Sequence, residues 1–329
     1  MQAKSACLII LHTACTTAFS LEGLHHGNKI SRQAAFKSFD HDSVRRESLS
    51  VEGALPSWLQ GSYVRNGPGL FESGDGRRLA HWFDGYGMLM SISLAPDQPP
   101  QLSTRFIASD AYGAAKAGPM GFAEFMTPLT PPGSGPMAVV KAFGAMAAGD
   151  PTDNACVNVF NPGTLGVDGA SLVAMTETHR SWFRVDPSSL ETLSRVPWAG
   201  GSHGGVGQLA TAHPQPDPCG GGFINVGTDI APPFSSCFRV YRCSSETPFE
   251  REVLATIPCD NSASPNWLHS FGATKKAVVV IEQPVRAQAF IPARTPRNTC
   301  LGQASSSRAR VRPLCSPGRP STACQRCSG

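Results

Sequence analysis

The sequence predicts an antiparallel all-β fold, and three observations carry that prediction. Strand-like stretches recur through residues 51–285, separated by Gly, Pro and Asp turns. No stretch has the long apolar stripe at 3.6-residue spacing that an amphipathic helix requires. Between residues 170 and 198 three strands follow one another closely: "ASLVAMTET", "SWFRVDP" and, after an Asp-Pro-Ser-Ser turn, "LETLSRVPW". Short strands joined by tight turns have the grain of a propeller blade, whereas an α/β sheet needs long crossover helices.

The elements follow in order. Lys4 precedes "ACLIILHTACTTAFS", a short apolar run ending in small residues, so residues 1–20 read as a cleavable leader too short and polar to span a membrane. "TTAFS" resembles the Ala-Phe junction of bipartite plastid leaders, which leaves the secretory pathway and the plastid as destinations, with the cytoplasm as the alternative. Residues 21–50 are a polar, extended lead-in. "GSYVRNGPGLF" (61–71) is a strand running into a Gly-Pro turn, and "HWFDGYGMLMSISL" (81–94) breaks at Asp-Gly and Tyr-Gly before alternating as a half-buried strand does. Residues 113–150, rich in Ala, Gly, Met and Pro, predict a loop or short helices over one face. Further strands are predicted at 222–227, 237–242, 251–257 and 277–282. Residues 286–329 are dominated by Ser, Arg, Pro and Cys, with Phe290 as their only aromatic. Such a stretch buries too little surface to offset its ordering entropy, so it predicts a disordered tail or a misread coding sequence.

The net charge of +4 is unevenly placed. Residues 286–329 hold eight Arg and no Lys, Asp or Glu, and without them 20 basic side chains face 24 acidic ones. The predicted folded part is therefore slightly acidic and carries no nucleic-acid footprint. The eleven cysteines show no framework spacing. Cys324-Gln-Arg-Cys327 lacks a second pair, which argues against zinc, and Cys156, Cys219, Cys237, Cys243 and Cys259 read as small core or strand residues.

Two histidines stand out by context. His213 lies in "GQLATAHPQPDP" and His269 in "PNWLHSFGATKKAVVVIEQPV". If each sits on the innermost strand of a different blade, both point at the propeller axis, where imidazoles without thiolates suit Fe, Cu, Zn or Ni. A satisfied core or turn histidine is the competing reading for each.

The stretches "LPSWLQGSYVRNGPGLFE", "HWFDGYGML", "TRFIASDAY", "PTDNACVNVF", "MTET…VDPSSLETL", "ATAHP" and "PNWLHSFGATKKAVVVIEQPV" occur collinearly from about residue 51 to 285. Together they resemble the landmarks of the carotenoid cleavage oxygenases, and most closely those of the animal branch. The resemblance implies a seven-bladed propeller, of which this chain is roughly the N-terminal half, with Fe(II) on the axis held by four histidines. His213 matches the first ligand and His269 the second. Glu177 matches a carboxylate that accepts a hydrogen bond from a ligand imidazole, and Thr176 a side chain that crowds an open iron position. His81 and Asp84 match a structural motif. His203, His179, His41, His25, His26 and His12 match no ligand and are expected at the surface.

The implied activity is cleavage of a conjugated double bond of a carotenoid or apocarotenoid by Fe(II) and O2. The alternatives are a retinoid isomerohydrolase, using the iron as a Lewis acid on an ester, and a non-catalytic fragment. Residues 113–150 are the candidate tunnel mouth and peripheral membrane contact. No histidine follows His269, so the chain supplies two imidazoles of the four. It is expected to bind iron weakly or not at all and to be inactive as written.

Overall fold

Four antiparallel sheets, following one another along the chain, make up the computed structural model of this protein. It describes residues 36–39, 43–79, 82–118, 152–165, 171–201, 204–230, 236–261 and 265–283, together with the backbone of 308–313. The leader expected at 1–20, most of segment 113–150, the Cys324–Cys327 pair and His12, His25, His26, His41, His81 and His203 lie outside the described residues.

The first sheet contains β1 (Ser43–Ser48), β2 (Gly61–Leu70), β3 (Tyr86–Leu94) and β4 (Gln101–Phe106), in the order β1-β4-β3-β2. A helix, α1 (Asp110–Ala117), follows. Ser109 caps its N-terminus by accepting from the Tyr112 amide at 3.1 Å, and Asp153 accepts from the Asp110 and Ala111 amides. The second sheet is a simple meander of β5 (Asn158–Phe160), β6 (Leu172–Met175), β7 (Phe183–Val185) and β8 (Thr192–Arg195). The third joins β10 (Gln215–Pro216), β11 (Gly222–Asp229), β12 (Cys237–Ser244) and β13 (Glu252–Pro258), with β9 (Leu209–Ala210) also on β11. The fourth orders β14 (Gly272–Ala273), β15 (Ala277–Glu282) and β16 (Arg308–Pro313).

Local chemistry explains the tightest connection. Between β7 and β8, Asp186 Oδ1 accepts from the Ser188 amide at 2.9 Å, the Ser188 hydroxyl at 2.6 Å and the Ser189 amide at 2.7 Å. These bonds, led by the Ser188 hydroxyl, lower its carboxyl from the ordinary 3.8 to about 2. The turn delivers Leu190, at φ +58°, into the apolar core with Phe183 and Val185.

Apolar clusters then join each sheet to the next. Leu89 and Ile107, from and just beyond the first sheet, pack with Ala174, Phe183 and Val185 of the second. Val173, Met175 and Trp182 pack with Phe223 and Tyr241 of the third. Ile224, Val226, Phe238 and Val240 pack with Val278 and Val280 of the fourth. Burial of this kind, about 25 cal/mol per Å² of apolar surface, is the main favourable term holding the sheets face to face. No closed ring of sheets is found among the described residues. Nor, among them, is any helix long and apolar enough to cross a membrane.

Two expectations need correction here. Residues 308–313 fall in the segment expected to be disordered, yet they form β16, antiparallel to β15 with Val279 opposite Val311 and Ile281 opposite Ala309. The text "RARVRP" alternates Arg with Ala and Val, and the open edge of β15 offers it a row of unpaired backbone groups. Cys156, Cys237, Cys243 and Cys259 are buried as expected, whereas Cys219 is exposed, in the turn between β10 and β11.

Candidate metal centre

The site is assembled where the second and third sheets meet. β6 ends at Met175, and the chain continues through Thr176 and Glu177 to Thr178, which bridges Leu209 of β9. The Glu177 carbonyl accepts from the Ala210 amide at 2.7 Å, so the end of the second sheet is sewn to β9 of the third. Three residues past Ala210 comes His213. His269 arrives from the stretch preceding β14.

The two imidazoles meet. His213 Nε2 lies 2.9 Å from His269 Nε2, with the ring centroids 4.5 Å apart and the planes at 76°. The other nitrogen of His269, Nδ1, lies 2.8 Å from Glu177 Oε1. The second oxygen of that carboxylate, Oε2, accepts from the Thr176 hydroxyl at 2.8 Å. Thr176, Glu177, His269 and His213 thus form one continuous chain of polar contacts. Glu177 is largely enclosed, its side chain 13% exposed, while His269 stays half open at 50%.

Each shift in basicity has a local cause. The hydrogen bond to Glu177 raises His269 above the ordinary imidazole value, against the opposing pull of burial. His213 is lowered, first by burial and then by the charge on His269. His269 is therefore the more basic ring of the pair.

The pair fits a metal ion. Two nitrogens each about 2.1 Å from one ion and at about a right angle lie about 3 Å apart. The observed Nε2 separation is 2.9 Å. A carboxylate on the far nitrogen is the usual partner of a ligating imidazole, because it fixes the tautomer and the ring plane. Among the described residues, no group of three or more His, Cys, Asp or Glu side chains converges on a single point.

His179, expected at the surface, is instead 1% exposed and far from this pair in character. Its Nε2 lies 3.0 Å from the Tyr241 hydroxyl, and its ring packs against Trp182 and Trp198. It is a core histidine. Asp84, expected to be structural, is buried in a short 3-10 turn whose carbonyls are held by Asn154, from Asp84 at 3.2 Å and from Gly85 at 3.0 Å.

A family model described as retinal pigment epithelial membrane protein matches residues 39–310. The chain belongs to the carotenoid oxygenase family. Among curated relatives, the β,β-carotene 15,15'-dioxygenase of Rattus norvegicus is 33% identical over 250 residues, spanning 72% of this chain and 42% of the relative. Carotenoid cleavage dioxygenase 8 homolog A, named as chloroplastic, of Oryza sativa is 34% identical over 251 residues, spanning 74% of this chain and 43% of the relative. The chain therefore covers less than half the length of these relatives. A cobalt-substituted Synechocystis apocarotenoid oxygenase superposes with a TM-score of 0.55 at 23% identity, covering 76% of this chain and 48% of that one. An apocarotenoid oxygenase chimera gives a TM-score of 0.56 over 77% of this chain. At that identity the likeness establishes the shared fold.

Proposed function

We propose that this protein carries the first two imidazoles of an Fe(II) centre used for oxidative cleavage of a carotenoid or apocarotenoid double bond. On this reading its sheets are consecutive blades of a seven-bladed propeller, with His213 and His269 facing the axis. The observation that carries the reading is the 2.9 Å approach of the two Nε2 atoms with Glu177 bonded behind His269. Family membership and the dioxygenase names of the relatives support the substrate class. The chloroplastic name of the rice relative fits a plastid destination for the leader-like residues 1–20.

The residues divide the work as follows. Glu177 accepts a hydrogen bond from His269 Nδ1–H, the tautomer that leaves the Nε2 lone pair of His269 free for a metal. Thr176 donates to the other Glu177 oxygen and so restrains the carboxylate that faces His269. Burial favours the neutral form of His213, the form able to ligate. Ferrous iron, when bound, supplies O2 activation for splitting the polyene into two carbonyl products.

Anaerobic Fe2+ titration of the purified 329-residue chain tests the reading. The 2.9 Å approach of the two Nε2 atoms narrows the expectation of weak binding or none to weak, reversible binding, lost on either His213→Ala or His269→Ala. No binding in the unsubstituted chain, or binding indifferent to both substitutions, overturns it. Incubation with an apocarotenal under 18O2, and separately with a retinyl ester without O2, addresses the reaction: labelled aldehydes from the first mark the dioxygenase, and an isomerised alcohol released with the free fatty acid from the second marks an isomerohydrolase.

A further inference from the structure

The segment leading into His213 has an unusual set of backbone partners. Three consecutive carbonyls, those of Thr211, Ala212 and His213, each accept from a side-chain carboxamide. Asn225 Nδ2 donates to Thr211 O at 2.9 Å, Asn158 Nδ2 to Ala212 O at 2.6 Å, and Gln215 Nε2 to His213 O at 3.2 Å. The three donors come from β11, β5 and β10, hence from two different sheets.

Strand pairing does not account for this grip. β9 ends at Ala210, so the three residues that follow are held by one ladder-like bond, Thr211 N to Val226 O at 2.9 Å, and otherwise by carboxamides. The two asparagines are themselves fixed. Asn225 is fully buried, and its Oδ1 accepts from the Val226 amide and the Thr211 hydroxyl. Asn158 Oδ1 accepts from the Val159 amide at 2.8 Å, and the Asn158 carbonyl is held by Asn66 of β2 at 2.9 Å. A line of asparagines therefore runs from the first sheet through the second to the loop that bears His213. A buried amide that reaches a carbonyl stabilises the local backbone, since either group left unpaired would carry its desolvation cost. Three on successive carbonyls also fix the peptide planes, and with them the direction in which the next side chain leaves the backbone.

We infer that Asn158, with Asn225 and Gln215, is a positioning residue that aims the His213 imidazole at His269. The inference rests on the metal-centre reading above. Asn158 is the decisive member, because it alone crosses from the neighbouring sheet. It touches neither imidazole and acts only through the Ala212 carbonyl.

Two substitutions at Asn158 make the test: Asn158→Ala, and Asn158→Asp, which keeps the shape but removes the donor. Asn154→Ala is the control, since Asn154 also holds buried carbonyls between sheets but lies on the Asp84–Gly85 turn. Each full-length variant is titrated with Co2+ alone, its thermal midpoint is measured, and the nuclear Overhauser contact between the His213 and His269 rings is recorded without metal. Both Asn158 variants are expected to weaken Co2+ binding by about 10–100-fold, the usual loss when a partner behind a ligand is removed. They are also expected to lose the ring–ring contact. Asn154→Ala is expected to lower the midpoint while leaving both readouts unchanged.

Unaltered Co2+ affinity and ring contact in the Asn158 variants, or an equal loss in Asn154→Ala, overturns the inference. Absence of Co2+ binding in the unsubstituted chain sinks the metal reading instead. The ring contact then still decides whether Asn158 positions His213.

Discussion

Glu177 and His269 are 92 residues apart in sequence and share a 2.8 Å contact between Oε1 and Nδ1. The contact ties the end of a strand in the second sheet to the approach of the fourth. It also makes the carboxylate the main reason that His269 holds a proton above the ordinary imidazole range. Glu177→Gln keeps the shape and removes the charge. The His269 pKa is expected to fall toward its ordinary value, read by NMR titration of its ring. Metal affinity is expected to drop by about 10–100-fold.

The pair as a whole predicts an asymmetric titration. In metal-free protein, acidification protonates His269 first, above the ordinary 6.5, and His213 later, below it. The stability contribution of His269 is present below 6.5 and fades as pH rises through its raised value. That of His213 runs the opposite way, present above 6.5 and fading as pH falls through its lowered value. Metal uptake needs both rings neutral, so it strengthens as pH rises through the His269 transition. Histidine-selective NMR titration with and without Co2+ reads both effects.

Removing the Tyr241 hydroxyl takes a hydrogen bond from a ring nitrogen of fully enclosed His179. Tyr241→Phe is expected to destabilise the fold by about 1–3 kcal/mol. Denaturant unfolding of the variant checks this.

Asp186 predicts a separate acid transition. Its lowered carboxyl contributes stability above the ordinary 3.8, and that contribution is lost as pH falls through about 2. Asp186→Ala removes the acceptor for three donors at the β7–β8 turn. It is expected to lower the thermal midpoint by a few degrees at neutral pH and to abolish this acid-dependent loss.

Particular residues show what was legible in the sequence. The Asp-Pro-Ser-Ser turn and the strands on either side of it were readable because Asx-turn chemistry and apolar alternation are local signals. β11 was readable as the apolar run "GFINVG". β1, with "SVRRES", and the two-residue β14 were not, since their strand character is conferred by the edges they pair with. His179 matches no ligand position of the family, and surface placement is the expectation that follows. The 3-10 turn His179–Ser181 instead rolls its ring inward onto Trp182 and Trp198. Spacing alone could not bring His213 to His269, and the motif resemblance named them as partners. Asn158 left no signal, because an asparagine opening a strand reads as an exposed end until its long-range acceptor is seen.

The most direct measurement is an anomalous difference map from crystals of the chain soaked in Co2+. Sharing of one ion predicts a single peak about 2.1 Å from both the His213 and His269 Nε2 atoms. A peak on one imidazole only, or none between the two rings, contradicts it.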